Sequence, residues 1–374
     1  MKVLILSVTA GGGHNSTAKA LKNALEKKGA EVSILDMYGA ISLPIKWIIA
    51  KGYLISAKKL RGLYSFFYRV AEKRRANSYK ISTSRIANRM MSKNIRKYIE
   101  DYDPDVIIFT HVFCGGILDV IKQRHGLKAK TVGIVTDFVM HPYWEETLRL
   151  DYIVTANELM LPSAVHKGFR KEQILPFGIP IQEKFSHSVS KEEARISLGL
   201  DKEKRTILLM SGSMGYSNIA KTVRAIDALD MDLQIICVCG SNEKAKEQID
   251  NLHLKSKLLN YGFVNNVDVL MDAADCIITK PGGLTTSESL AKRLPMIICN
   301  PIPGQEDRNS EFLQNNGVAM KVSDTYSLAY AVFQLFYNPR KIELIQESID
   351  MIRKPDSSEK VSEFVMQLAL EKTK

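Results

Sequence analysis

The chain has 374 residues, 45% hydrophobic and 25% charged, the balance of a folded globular protein with material for two domains at roughly 150 residues each. Its net charge of +11 is uneven, because residues 46–80 hold ten lysines and arginines against Glu72 alone. No run reaches the about 20 apolar residues of a membrane span, and Cys114, Cys237, Cys239, Cys276 and Cys299 lack metal spacing, so buried reduced thiols are expected.

Residues 2–8 read as a buried strand, too briefly apolar for a secretory signal peptide, so a protein that stays in the cytoplasm is expected. The strand passes into Thr9-Ala10-Gly11-Gly12-Gly13-His14-Asn15-Ser16 and then a helix from about Asn15, with Ala18, Leu21, Ala24 and Leu25 on one face and Gly29 as its stop. Glycines between strand and helix let a ligand approach the backbone, and the helix N-terminus favours an anion or polar group. Asp36 closes the next strand, residues 31–36, where a dinucleotide fold carries its ribose-binding acid, but Ser16 stands where that fingerprint has its third glycine. A glycine turn serving only strand–helix packing remains open. His14, just after the glycines, is poorly placed for a core and well placed for proton transfer.

Further strands are expected over residues 106–110, 130–136 and 152–156, separated by helical stretches, which predicts a parallel, doubly wound sheet. Thr110-His111 and Thr136-Asp137 follow two of these strands, so His111 and Asp137 are further acid–base candidates, Asp137 being equally suited to capping a helix. After residue 180 the pattern gives way to a polar stretch. The expected division is an N-terminal Rossmann-like domain over 1–180, a linker region over 181–204, and a C-terminal Rossmann-like domain over 205–374 whose last helix packs back on the first domain.

The strand series restarts over residues 206–210, 233–239, 256–261, 276–279 and 296–300. Ser211-Gly212-Ser213-Met214-Gly215 follows the first of these, as a phosphate contact or a simple turn. After the fourth comes Lys280-Pro281-Gly282-Gly283-Leu284-Thr285-Thr286-Ser287-Glu288, where glycines at a helix mouth expose N–H groups suited to phosphate oxygens; G-x-x-x-x-G-K-[ST] is absent, so this is no P-loop. Glu288, one turn on, suits ribose hydroxyls or plain capping. Gln305 and Glu306 follow Pro303-Gly304, and an amide beside a carboxylate suits sugar hydroxyls at the carboxyl end of a parallel strand. Residues 341–374 read as helical with a break at Pro355.

Together Gly11-Gly12-Gly13-His14, Lys280-Pro281-Gly282-Gly283 with Glu288, and Pro303-Gly304-Gln305-Glu306 resemble the family of GT28-type glycosyltransferases that contains monogalactosyldiacylglycerol synthases, processive diacylglycerol glucosyltransferases and, more distantly, MurG. The resemblance spans nearly the whole chain. It implies an α/β GT-B fold, two doubly wound Rossmann-like domains facing a central crevice, and an inverting transfer from a UDP-hexose with no metal or other cofactor required. By resemblance, Ser213, Gly282 and Gly283 meet the diphosphate, Glu288 the ribose, the backbone around Phe263 the uracil, and Gln305 with Glu306 the donor sugar. His14 or Asp137 is then the base, with Gly12, Gly13 and His111 on the acceptor side.

The basic segment interleaves its cations with aromatics, and Trp47, Lys58, Lys59, Arg61, Phe66, Phe67, Arg74 and Arg75 suit anionic lipid headgroups at an interface. A solvated helical face over a core stripe is the plain alternative, and nucleic acid is not expected, because the crevice motifs ask for a nucleotide sugar. The expectation is a peripheral enzyme on the cytoplasmic face of the cell membrane that transfers glucose or galactose to 1,2-diacylglycerol. Three alternatives stand beside it: transfer to another lipid acceptor as in MurG, a UDP-N-acetylglucosamine 2-epimerase, and a non-catalytic nucleotide-sugar sensor.

Overall fold

A computed structural model describes residues 1–9, 12–37, 39, 83–210 and 219–371. The chain divides into unit 1, residues 1–183, 303–305 and 356–374, and unit 2, residues 184–302 and 306–355.

In unit 1 the strands β1 (Lys2–Ser7), β2 (Glu31–Asp36), β3 (Val106–Phe109), β4 (Lys130–Ile134), β5 (Tyr152–Val154) and β6 (Ile174–Leu175) form one sheet in the order β2-β1-β3-β4-β5-β6. Every pairing is parallel. The central strands β1 and β3 read as near-continuous apolar runs because both faces of the sheet are covered there, whereas the edge strand β2 carries Glu31, Ser33 and Asp36. On one face Val3, Ile5, Val106, Ile108, Val132 and Ile134 pack against Ala18, Leu21 and Leu25 of helix α1 (Gly12–Lys27) and against Val361, Val365 and Leu368 of the helix Ser357–Glu371.

Phe109 sits under helix α2 (Val112–His125), where a Cβ on Gly115 or Gly133 would lie 2.6 Å and 2.4 Å from its ring. Those glycines let α2 lie close to the sheet and fix where its first residues emerge. Helix α1 begins at Gly12 rather than near Asn15. Glycine's helix propensity, about 1 kcal/mol below alanine's, hides the first turn in the sequence.

Unit 2 opens with helix α3 (Lys191–Ser197), inside the stretch 181–204 expected as a linker. Its Ser190 and Glu193 form a reciprocal capping box. Arg195 donates to Asp275 Oδ2 at 2.6 Å, both side chains nearly inaccessible, so the stretch from residue 184 on is packed structure rather than tether. The strands β7 (Arg205–Met210), β8 (Leu233–Val238), β9 (Lys257–Tyr261), β10 (Cys276–Thr279), β11 (Met296–Ile298) and β12 (Ala319–Lys321) form a second all-parallel sheet in the order β12-β11-β10-β7-β8-β9. The two-residue β6 and three-residue β12 are too short to leave a period in the sequence. Helices Pro339–Ile352 and Ser357–Glu371 flank the break at Pro355.

In each sheet the strand order reverses next to the first strand, between β1 and β3 and between β7 and β10. Ligands of open parallel sheets bind at the carboxyl ends of the strands that flank such a reversal.

Candidate active site

At the reversal in unit 1 the residues after β1 and β3 form a chain of polar contacts. Thr110 Oγ1 donates to Ser7 Oγ at 3.1 Å, Ser7 Oγ to Asn15 Oδ1 at 2.8 Å, Asn15 Nδ2 to Thr9 Oγ1 at 3.3 Å, and Thr9 Oγ1 to Asp36 Oδ2 at 2.6 Å. The chain pins the first turn of α1 to three strand ends.

His14 lies in that turn, half-buried. Its Nδ1 is 2.7 Å from the Thr110 carbonyl oxygen and 3.3 Å from Thr136 Oγ1. A carbonyl only accepts, so Nδ1 carries the hydrogen and Nε2 keeps its lone pair, a tautomer assigned from the bond network. Burial lowers the pKa of His14 below the ordinary histidine value, against the smaller opposing effect of the Thr110 contact, so the ring is neutral near pH 7.

The His111 ring stands 4.7 Å from that of His14, at 79° to it. His111 is the N-cap of α2, and the Phe113 amide donates to its Nδ1 at 3.1 Å. Its hydrogen is therefore on Nε2, the opposite tautomer to His14. Burial first, then the neighbouring His14 and His141, push His111 well below the ordinary range. Asp137 follows Thr136 and is half-buried and partnered, while Gly12 is exposed and Gly13 half-buried at the start of α1.

At the reversal in unit 2, β10 leads through Lys280-Pro281-Gly282 into helix α4 (Gly283–Ala291), whose N-cap is Gly282 with no side-chain cap. The first intrahelical bond runs from the Thr286 amide to Gly282 O at 3.0 Å, so the amides of Gly283, Leu284 and Thr285 have no intrahelical acceptor. Thr286 Oγ1 is buried without a partner. An anion would satisfy N–H groups held this way, at the positive end of the helix dipole.

Helix α5 (Gln305–Asn315) steadies this turn. Buried Asn309 donates Nδ2 to Pro281 O at 3.0 Å. Glu306 Oε2 accepts from the Ile302 amide at 2.6 Å, with its Oε1 4.0 Å from Lys280 Nζ. Burial raises the pKa of Glu306 although Lys280 opposes it. Gln305, part of unit 1, donates Nε2 to Val139 O at 2.7 Å. Neither side chain expected to face a sugar is therefore idle: one ties down a loop and the other a carbonyl.

Glu288 is buried on α4, and its pKa is raised to about 8, mainly by burial, with Asp268 adding to the rise and Lys184 opposing it. Lys184 Nζ pairs with Asp268 Oδ1 at 3.1 Å. Phe263, just beyond β9, is 79% exposed, and the Gly240 amide reaches Gly262 O beside it at 3.2 Å. Ser213, Gly11 and the basic-aromatic residues Trp47, Lys58, Lys59, Arg61, Phe66, Phe67, Arg74 and Arg75 lie outside the described residues.

Sequence reasoning missed the tether role of Asn309 and the contacts of the Ser7–Asn15–Thr9–Asp36 chain. Asn309 left one signal, an amide on the apolar side of a helix; the others become visible only when the strand ends are brought together.

Residues 14–181 match the family described as monogalactosyldiacylglycerol (MGDG) synthase, and residues 206–360 match the glycosyltransferase family 28 C-terminal domain. A processive diacylglycerol beta-glucosyltransferase of Bacillus pumilus (strain SAFR-032) is 27% identical, over 98% of this chain and 94% of that protein. One of Bacillus cereus (strain ATCC 10987 / NRS 248) is 28% identical, over 98% and 93%. Among solved structures, Acinetobacter baumannii MurG matches with a TM-score of 0.68 at 14% identity, covering 98% of this chain and 99% of its own. The Neisseria meningitidis UDP-GlcNAc 2-epimerase bound to UDP-GlcNAc matches with a TM-score of 0.61 at 12% identity, over 99% and 100%. These structural likenesses establish the GT-B fold.

Proposed function

Because the chain belongs to the glycosyltransferase family that joins a monogalactosyldiacylglycerol-synthase domain to a family 28 C-terminal domain, we propose that it transfers a hexose from a UDP-sugar to 1,2-diacylglycerol with inversion. Glucose is the hexose named for the similar Bacillus proteins. The observation that carries the reading is the first turn of α4, where the amides of Gly283, Leu284 and Thr285 have no intrahelical acceptor at the reversal of the unit 2 sheet.

In this reading the diphosphate lies on the amides of Gly283, Leu284 and Thr285, whose fixed dipoles stabilise the charge that builds as the anomeric C–O bond breaks. The carboxylate of Glu288 accepts the ribose hydroxyls, and the backbone around Phe263 takes the uracil. Ser213 adds to the phosphate site, and Gln305 and Glu306 face the sugar after giving up their present partners.

His14 is the base. The acceptor oxygen uses a lone pair to form the new C–O bond, its proton passes to His14 Nε2, and the bonding pair of the old C–O bond leaves with UDP. The Thr110 carbonyl holds the ring in the tautomer that keeps Nε2 free and then stabilises the imidazolium.

Among the described residues no helix is long and apolar enough to cross a membrane. The lipid acceptor is reached, in this reading, by the basic-aromatic segment binding anionic lipid at the cytoplasmic face of the membrane, supported by its +9 of the +11 net charge.

The test is glycolipid formation from UDP-glucose or UDP-galactose with diacylglycerol in anionic vesicles. Failure with every common UDP-sugar sinks the proposal, and epimerisation of UDP-N-acetylglucosamine without lipid replaces it. His14→Ala is expected to abolish turnover and leave UDP binding intact; undiminished turnover moves the base role to Asp137.

A further inference from the structure

The cap of α2 is made by an unusual residue. Serine, threonine, aspartate or asparagine would satisfy the Phe113 amide at least as well as histidine does. An imidazole used as a cap brings something none of the hydroxyls brings in the same place, a second ring nitrogen whose N–H is not needed by the cap. Nothing among the described residues accepts from Nε2 of His111, and the ring is only half-buried.

Its neighbour is the other half of the observation. His14 presents a bare lone pair on Nε2 and His111 an N–H on Nε2, from rings 4.7 Å apart at the reversal of the unit 1 sheet. An alcohol is the group such a pair matches, because its oxygen donates one hydrogen and accepts on two lone pairs. His141 repeats the capping geometry, accepting from the Tyr143 amide at 3.3 Å, but its ring packs on Tyr143, 5.2 Å away.

We propose that His111 is a second catalytic residue that touches the acceptor, its Nε2–H donating to the hydroxyl oxygen whose proton His14 removes. The proposal rests on the assignment of His14 as base. The oxygen then has its bonding directions assigned: its hydrogen to His14, one lone pair to His111, and the remaining lone pair to the anomeric carbon. The proton moves to His14, the pair of the broken C–O bond leaves with UDP, and His111 keeps its hydrogen and stays neutral throughout. Orientation of the attacking lone pair is the gain, the kind of effect that correct placement of one reacting atom supplies.

Two substitutions separate this role from capping. His111→Ser keeps a cap acceptor and removes the N–H, while His111→Gln restores an N–H donor at the reach of Nε2. With diacylglycerol vesicles and UDP-glucose, His111→Ser is expected to lose about 100-fold in kcat/KM for the lipid, with the melting temperature and UDP affinity of the wild type. His111→Gln is expected to regain about tenfold of that loss. Wild-type turnover by His111→Ser overturns the proposal, as does His111→Gln being no more active than His111→Ser at equal melting temperature. His14→Ala tested alongside tells the two assignments apart: if it is inactive while His111→Ser turns over normally, only the role of His111 falls, and if it stays active the base assignment falls first.

Discussion

Binding of UDP is expected to tighten with pH, and the cause is one carboxyl group. Burial raises Glu288 to about 8, with Asp268 raising it and Lys184 lowering it, so at pH 7 the empty site holds mostly the neutral acid. Accepting two ribose hydroxyls requires the carboxylate. Ionising a group of pKa about 8 at pH 7 costs one pKa unit, about 1.4 kcal/mol, or a factor of about ten in affinity. The dissociation constant should therefore fall about fivefold from pH 7 to pH 8 and about tenfold in all by pH 9, where it levels off, with close to one proton released per UDP bound at pH 7. Titration calorimetry from pH 7 to 9, in buffers of different ionisation enthalpy, measures both quantities, and the window avoids the phosphate titration near pH 6. Glu288→Gln removes the titrating group, so its slope should be flat and its affinity at pH 8.5 weaker by about 1.5–3 kcal/mol, the worth of bonds to a charged acceptor. Equal slopes in the two proteins would refute the reasoning. The same shift acts on stability with the opposite sense. Between 4.5 and about 8 the folded chain holds a proton that the unfolded chain has released, so the empty protein loses stability as pH rises through that window.

Asn309→Ala should weaken UDP binding by about 1–3 kcal/mol, because Pro281 O loses its buried donor and the Gly282–Gly283 turn its tether; fluorescence titration with UDP checks this, and unchanged affinity would show that the turn holds itself. Asp275→Asn should cost about 3–5 kcal/mol and lower the melting temperature by roughly 10 °C. It removes the charge facing Arg195 and Lys191, both 2.6 Å away, and leaves the Arg195 guanidinium buried. Calorimetric melting tests that expectation; a drop of less than a degree would contradict it.

Much of the fold was legible because buried parallel strands are continuous apolar runs, visible without knowledge of their neighbours. β2 and β10 begin and end where the pattern does, and the glycines after β1 and β10 mark where strand passes into helix. Helix α1 was misplaced by three residues because glycine conceals helix in any propensity scale, although Gly12 and Gly13 take up the helix here. The polar stretch before β7 resembled a tether because Arg195 and Asp275, 80 residues apart, each look solvated until they meet.

For the candidate site the division is sharper. His14, the Gly282–Gly283 turn and Glu288 were readable as residue types in suggestive places, because glycine beside a helix start and a histidine outside any apolar face are local facts. Their chemical states were not. Strand order alone puts His14, at the start of α1, and His111, the cap of α2, just beyond the two strands that flank one reversal, and the tautomer of His14 depends on a carbonyl 96 residues along the chain. The opposite tautomer of His111 depends on a cap, and the raised pKa of Glu288 depends on how completely unit 2 closes over it. Sequence determines which groups are available; the protons they carry are decided by desolvation and by partners that only the folded chain brings near.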